Sequence, residues 1–162
     1  MSTFKYISAW GNALGGEDRR DLIDFWLAEG ALTDPQQADQ RASQAVLMAR
    51  DDAGRVAGVG TAVPCNMPQI GQPLYYYRSF IGQQWRSSRL VYYLVKRSRT
   101  LLEDYARDRN WPCIGVLLEL ENTRFSKKGR MPVWPHLDFV YVGRSPRDLE
   151  LRVSWFRQAP LR

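Results

Sequence analysis

From Leu74 to Arg109 the chain reads LYYYRSFIGQQWRSSRLVYYLVKRSRTLLEDYARDR: an aromatic run, a polar turn and a long amphipathic stretch. Tyr75, Tyr76, Tyr77, Phe80 and Ile81 favour extended backbone, because aromatic and β-branched side chains fit a pleated surface. Gly82 to Ser88 breaks the run with small and polar residues. From Leu90 the apolar period changes. Leu90, Leu94, Leu101 and Tyr105 form one stripe with Val91, Val95 and Leu102 beside it, while Lys96, Arg97, Arg99, Glu103 and Asp104 fall elsewhere. That is the pattern of a helix with one buried face. Ser87 or Ser88 is the candidate N-cap, its hydroxyl accepting from an orphan amide.

A strand that turns directly into a helix N-terminus offers a site for an anion. The first-turn amides have no partner inside the helix, and the helix dipole adds partial positive charge there. Arg86 and Arg89 flank this turn, so phosphate is the natural ligand class.

The stretch Ile81-Gly82-Gln83-Gln84-Trp85-Arg86-Ser87-Ser88-Arg89-Leu90-Val91 resembles the pyrophosphate loop of the GNAT superfamily of acyl-CoA-dependent N-acyltransferases. The family pattern is an apolar strand end, a few polar residues, an aromatic, then Arg/Gln-x-x-Gly-x-Gly/Ala opening a helix. Ile81, Trp85 and Arg86 match it, and Leu94 fits the helical leucine that follows. The two small positions hold Arg89 and Val91 instead. Glycine there lets phosphate oxygens approach the backbone closely, so the loop is a degenerate form of the motif.

Before this stretch, Lys5 to Trp10 reads as a short strand and Glu17 to Leu32 as a helix with Leu22, Ile23, Phe25, Trp26 and Leu27 on its apolar face. Asp34-Pro35 starts a second helix over Gln36 to Gln44, the aspartate as cap and the proline at the first helical position. Val46 to Arg50 and Arg55 to Val63 flank Asp51-Asp52-Ala53-Gly54, a hairpin signal. Gly58-Val59-Gly60 lies within a strand and opens no helix, which excludes a dinucleotide fingerprint. Pro64 to Pro73 reads as a loop. Cys113 to Leu120 (CIGVLLEL) is a buried strand after the helix end at Asn110-Trp111-Pro112. Strand, helix and strand over this distance imply a right-handed parallel crossover. A helix over Thr123 to Lys128 and strands at Leu137 to Gly143 and Leu149 to Phe156 complete the order β-α-α-β-β-β-α-β-α-β-β, which is the GNAT order. The expected fold is therefore α/β (α+β): a single GNAT-like domain over residues 1–162, a mixed sheet with a central β-α-β unit and helices on both faces.

Composition fits a globular protein, with 44% hydrophobic and 25% charged residues. No apolar run approaches the ~20 residues needed to cross a bilayer, so a cytoplasmic protein with no membrane partner is expected. Cys65 and Cys113 make neither a disulfide framework nor a metal set, and no metal is expected. The formal charge of +6 points to an anionic partner, either a phosphate-bearing cofactor or nucleic acid. Arg124, Lys127, Lys128 and Arg130 form a basic cluster, but no nucleic-acid motif accompanies it.

The resemblance implies acetyl-CoA (CoA) as co-substrate and an amine-bearing small molecule or macromolecule as acceptor. A homodimer is compatible with it. The family's parallel strands, here Tyr77–Ile81 and Cys113–Leu120, splay at their ends and hold the pantetheine arm, which places the backbone of Ser79, Phe80 and Ile81 along it. Arg86, Ser87, Ser88, Arg89, Leu90 and Val91 would hold the pyrophosphate, with Ser87 and Ser88 in the role of the missing glycines. Asn122 would bond the pantetheine or cap the next helix. Glu119 and Glu121 alternate along the fifth strand, so a carboxylate can face the cleft while its chain neighbour does not. Glu119 is the candidate base against the alternative of an ion-paired carboxylate. Many family members place a Tyr after this strand to protonate the leaving thiolate. Arg124 to Asp138 holds no Tyr, and His136, the only histidine, is the candidate in its place. The alternative reading is a GNAT-fold binding module that has lost turnover, alone or associated with nucleic acid.

Overall fold

Two strands fix the topology: β4 (Pro73–Ile81) and β5 (Gly115–Leu120) run parallel, with Tyr75 opposite Val116 and Tyr76 opposite Leu117. The helix α3 (Leu90–Asp108) links them, as the change of period at Leu90 requires. This computed structural model describes residues 3–121 and 130–162. Before β4 come β1 (Lys5–Ser8), α1 (Gly16–Ala28), α2 (Pro35–Ala42), β2 (Ala45–Arg50) and β3 (Val56–Asn66). After β5 come β6 (Val133–Trp134), β7 (Phe139–Arg144) and β8 (Glu150–Trp155). The eight strands form one mixed sheet in the order β1-β2-β3-β4-β5-β8-β7-β6. The chain gathers into two compact units, Met1–Ala62 with Arg78–Leu101, and Val63–Tyr77 with Leu102–Arg162.

In the first unit the pleat of β2 separates two cores. Met48 packs with Leu22, Phe25 and Trp26 of α1 and Ala38 and Ala42 of α2. Its neighbours Leu47 and Ala49 pack with Leu90 and Leu94 of α3. Successive side chains of a strand point to opposite faces, so α1 and α2 cover one face and α3 the other. Leu22, Met48 and Leu94 are fully buried, each contributing about 1.5–3 kcal/mol of transfer free energy. Asp34 caps α2, accepting from the Gln36 amide at 2.9 Å, with Pro35 as the first helical residue. The β2–β3 hairpin closes as its sequence requires. Gly54 takes φ +80°, and the Asp51 carboxylate accepts from the amides of Ala53 (3.0 Å) and Arg55 (2.9 Å).

The second unit has its own core of Leu74, Ile114, Leu117, Leu151 and Val153, with Trp111 and Trp155 packed against it. Gly115 is required by close approach: a Cβ there would lie 2.8 Å from the Ser154 carbonyl oxygen and 3.3 Å from Trp155 Cα. Cys113 is a buried free thiol, and burial pushes its pKa up to about 11. It is a core residue rather than a nucleophile.

Element ends shift, as where β1 stops at Ser8 rather than Trp10, α1 at Ala28 rather than Leu32, and β5 starts at Gly115 rather than Cys113, and three further features differ from expectation. β3 continues through Pro64 to Asn66, where a loop is expected. Its partner β2 begins only at Ala45, opposite Thr61, so the missing proline amide breaks no β2 bond there. The two-residue β6 pairs Val133 with Val140 and Trp134 with Phe139, too short a strand for periodicity to register. The polar turn after β4 contains a single 3₁₀ turn, Gln83–Trp85. The helix expected over Thr123 to Lys128 lies outside the described residues.

Candidate active site

The turn between β4 and α3 is set by Gly82 and Trp85. The Gly82 amide donates to the Ala57 carbonyl (2.9 Å), and its own carbonyl accepts from the Trp85 amide (2.9 Å). The Trp85 ring folds back against Gly82, where a Cβ would lie 2.8 Å from the indole and 3.0 Å from Phe25. Only glycine leaves room for that ring. The Arg55 guanidinium lies 5.5 Å from the centre of the indole. Glu29, at the end of α1, accepts from the Gln83 amide at 3.0 Å and so occupies the start of the 3₁₀ turn. Gly82→Ala should therefore displace Trp85 and cost about 1–3 kcal/mol of stability by overpacking, read as a lowered denaturation midpoint.

The N-cap position of α3 is Arg89, whose carbonyl accepts the first helical bond, rather than a serine; Ser88, one residue earlier, ties the turn ahead of it. Its hydroxyl donates to the Trp85 carbonyl (2.6 Å) and accepts from the Leu90 amide (3.2 Å), and its amide also donates to Trp85 (3.0 Å). Both its polar groups are thereby engaged. Leu90 is a core residue, 1% exposed. The Tyr93 amide donates to the Arg89 carbonyl at 3.3 Å. The amides of Val91 and Tyr92 precede the first helical bond and so have no partner within the helix. The side chains of Ser87 and Arg89 are exposed and make no bond among the described residues. Arg86 is exposed and donates from Nε to the Ile81 carbonyl (3.2 Å), with its guanidinium 5.7 Å from the Phe80 ring centre. Ser79 is exposed, while Phe80 and Ile81 are half-buried. Phe80 meets Phe25 edge-on at 5.6 Å. The turn thus joins amides with no helical partner, a helix dipole and cationic side chains, the elements of a phosphate site.

A carboxylate cluster lies in the second unit. Glu119 Oε1 accepts from the Tyr76 hydroxyl (2.8 Å) and from Arg147 Nη1 (3.0 Å), and its side chain is 6% exposed. Arg147 Nη2 reaches Glu121 Oε1 at 3.1 Å, so residues two apart share one face. Hydrogen bonding to Glu121 and the charge of Glu119 raise the Arg147 pKa. Ser145 holds the Arg147 turn, its hydroxyl accepting from the amides of Arg147 (3.2 Å) and Leu149 (3.3 Å). His136 is exposed in the turn between β6 and β7, with φ +68°. Asn122, Arg124, Lys127 and Lys128 lie outside the described residues; Arg130 is exposed.

Sequence reasoning missed Glu29, Tyr76 and Arg147. Tyr76 carries a signal in hindsight: Tyr75 and Tyr77 are buried at 1% and 3%, so the residue between them faces the other way. Nothing in the sequence pairs Arg147 with two glutamates twenty-six or more residues earlier. Among the described residues no three His, Cys, Asp or Glu side chains gather to hold a metal. No described helix is long and apolar enough to cross a membrane.

No protein-family model matches the sequence, and comparison with curated proteins finds no match. Solved structures do match in fold. An acetyltransferase of GNAT family from Streptococcus pneumoniae aligns over 93% of this chain and 96% of its own, with TM-score 0.57 and 14% identity. The GNAT family N-acetyltransferase YhbS from Escherichia coli, solved in complex with CoA, aligns over 96% of this chain and 81% of its own, with TM-score 0.60 and 14% identity. A GNAT family acetyltransferase from Brucella melitensis, solved with acetyl-CoA, aligns over 99% of this chain and 91% of its own, with TM-score 0.53 and 13% identity. The chain has the GNAT fold.

Proposed function

We propose that this chain is an N-acyltransferase that moves an acyl group, acetyl first among them, from a CoA thioester to an amine. The observation that carries the reading is the N-terminus of α3, where the Val91 and Tyr92 amides have no partner within the helix and Arg86 and Arg89 are exposed. Pyrophosphate is the ligand that this set of donors fits. Ser87 supplies a further hydroxyl, while Ser88 shapes the turn. The backbone of Ser79, Phe80 and Ile81 is assigned to the pantetheine amides, as is the side chain of Asn122. The neutral acceptor amine attacks the thioester carbonyl carbon, the carbon–sulfur bond breaks, the amine loses a proton and the thiolate gains one. Backbone amides suffice to polarise the carbonyl.

The proton steps are assigned to Glu119 and His136. Glu119 would act as base only after Arg147 moves off it, since an ion-paired carboxylate is a weak acceptor. His136 as donor predicts that His136→Gln lowers turnover at least ~100-fold and leaves CoA affinity intact. Near-normal turnover in that variant would assign the proton to solvent, because a thiolate is already a good leaving group.

Thiol release from acetyl-CoA, followed across a panel of small amines, lysine peptides and polyamines, tests the reaction itself. Amine-dependent release is expected with at least one class. Binding of CoA without release in any class would favour the binding-module reading, for which Arg89 and Val91 at the family's small positions are the supporting observation.

A further inference from the structure

The exposed face of α3 near its N-terminus is basic. From Gln83 to Leu102 the sequence holds Arg86, Arg89, Lys96, Arg97 and Arg99, and no carboxylate. Elsewhere in the unit Arg19 is paired with Asp39, Arg50 with Asp18 and Asp21, and Arg55 with Asp51. Lys96 and Arg97 pair with no carboxylate among the described residues. Each lies over an aromatic ring instead, Lys96 Nζ 5.8 Å from the centre of Tyr92 and the Arg97 guanidinium 4.3 Å from the centre of Tyr6. Tyr93 meets Tyr92 edge-on at 5.3 Å and is 40% exposed.

Arg89, Tyr93, Lys96, Arg97 and Thr100 recur at helical spacing, so they share one face while Leu90 and Leu94 point into the core. From Arg89 to Arg97 that face runs about 12 Å at ~1.5 Å per residue. β1, which carries Tyr6, lies at one edge of the sheet, so among the described residues no further strand borders this side. Solvated cations alone need no aromatic surface. Cations interleaved with flat, partly exposed rings match what single-stranded nucleic acid presents, phosphates beside unstacked bases. A lipid surface would instead call for exposed aliphatic side chains, and the face has none.

We propose that the face formed by Tyr6, Tyr92, Tyr93, Lys96 and Arg97 binds single-stranded nucleic acid, with the cations on phosphates and Tyr93 stacked on a base. The proposal does not rest on the acyl-transfer reading. Fluorescence anisotropy of a labelled single-stranded RNA with the full chain, titrated at several salt concentrations, tests it. Affinity should fall steeply with salt. In Lys96→Gln/Arg97→Gln the magnitude of the log–log slope should drop by ~1.4, two phosphate contacts at ~0.7 each. Tyr93→Ala should weaken the complex about tenfold, as loss of one stacked base implies. CoA affinity should be unchanged in both variants, with unfolding midpoints near wild type. Absence of a salt-sensitive complex, an unchanged slope in the double variant, or an unchanged affinity in Tyr93→Ala would overturn the proposal. So would a matching loss of CoA affinity, which would place this face in the cofactor site. Equal binding to phosphatidylserine vesicles, independent of Tyr93, would reduce it to a general polyanion surface and equally overturn it.

Discussion

Arg152→Leu should destabilise the second unit by about 3–5 kcal/mol, as breaking a buried ion pair from one side does. Arg152 is 1% exposed on β8 and is the largest fully buried side chain among the described residues. Its Nε donates to Glu150 Oε2 at 3.0 Å, its Nη1 to the Met131 carbonyl at 2.9 Å, and its guanidinium lies 4.3 Å from the centre of the Trp134 ring. A leucine fills much of the volume but leaves a carboxylate only 15% exposed and a backbone carbonyl without this donor. Domains are stable by about 5–15 kcal/mol, so the variant would sit near its unfolding threshold. Urea denaturation reads the effect as a lowered midpoint at constant slope. Arg152→Lys keeps the charge without the planar fork and should fall between the two. Wild-type stability in Arg152→Leu would contradict the role given to this arginine.

The joint replacement of Arg86 and Arg89 by Ala should weaken CoA binding by about one to two orders of magnitude, as lost charged hydrogen bonds imply. The two differ in how they are held. Arg86 is fixed by its bond to the Ile81 carbonyl, whereas Arg89 is exposed and makes no side-chain bond among the described residues. Arg89→Ala alone should therefore act mainly through charge and lose its effect at high salt, while Arg86→Ala should persist. Both side chains lie outside the cores, so the unfolding midpoint should stay near wild type. Unchanged CoA affinity in the double variant would place the cofactor elsewhere.

The fold was largely legible in the chain because its deciding signals are local. The period change at Leu90, the Asp34-Pro35 helix start and the Asp51–Gly54 hairpin each depend on residues a few positions apart, and each forms where expected. The candidate site was legible only in part. A strand, a polar turn and a helix start announce a phosphate-type turn, but that Ser88 is tied into the turn while Ser87 stays exposed depends on Trp85 folding back on Gly82. That contact is set by packing against Phe25 of α1, far away in sequence. The engagement of Glu119 by Tyr76 and Arg147 is likewise a product of sheet order, where β5 lies between β4 and β8. Period-two reasoning assigns Glu119 and Glu121 to one face. It cannot supply the arginine that bridges them.

Calorimetric titration of the wild-type chain with acetyl-CoA, CoA and ATP shows whether the turn between β4 and α3 holds the pyrophosphate of CoA. Saturable binding of acetyl-CoA and CoA at a single site is expected, with no comparable binding of ATP, which carries phosphates but no pantetheine. Absence of heat with both CoA species up to millimolar concentration, or ATP binding as tightly as CoA, would contradict it.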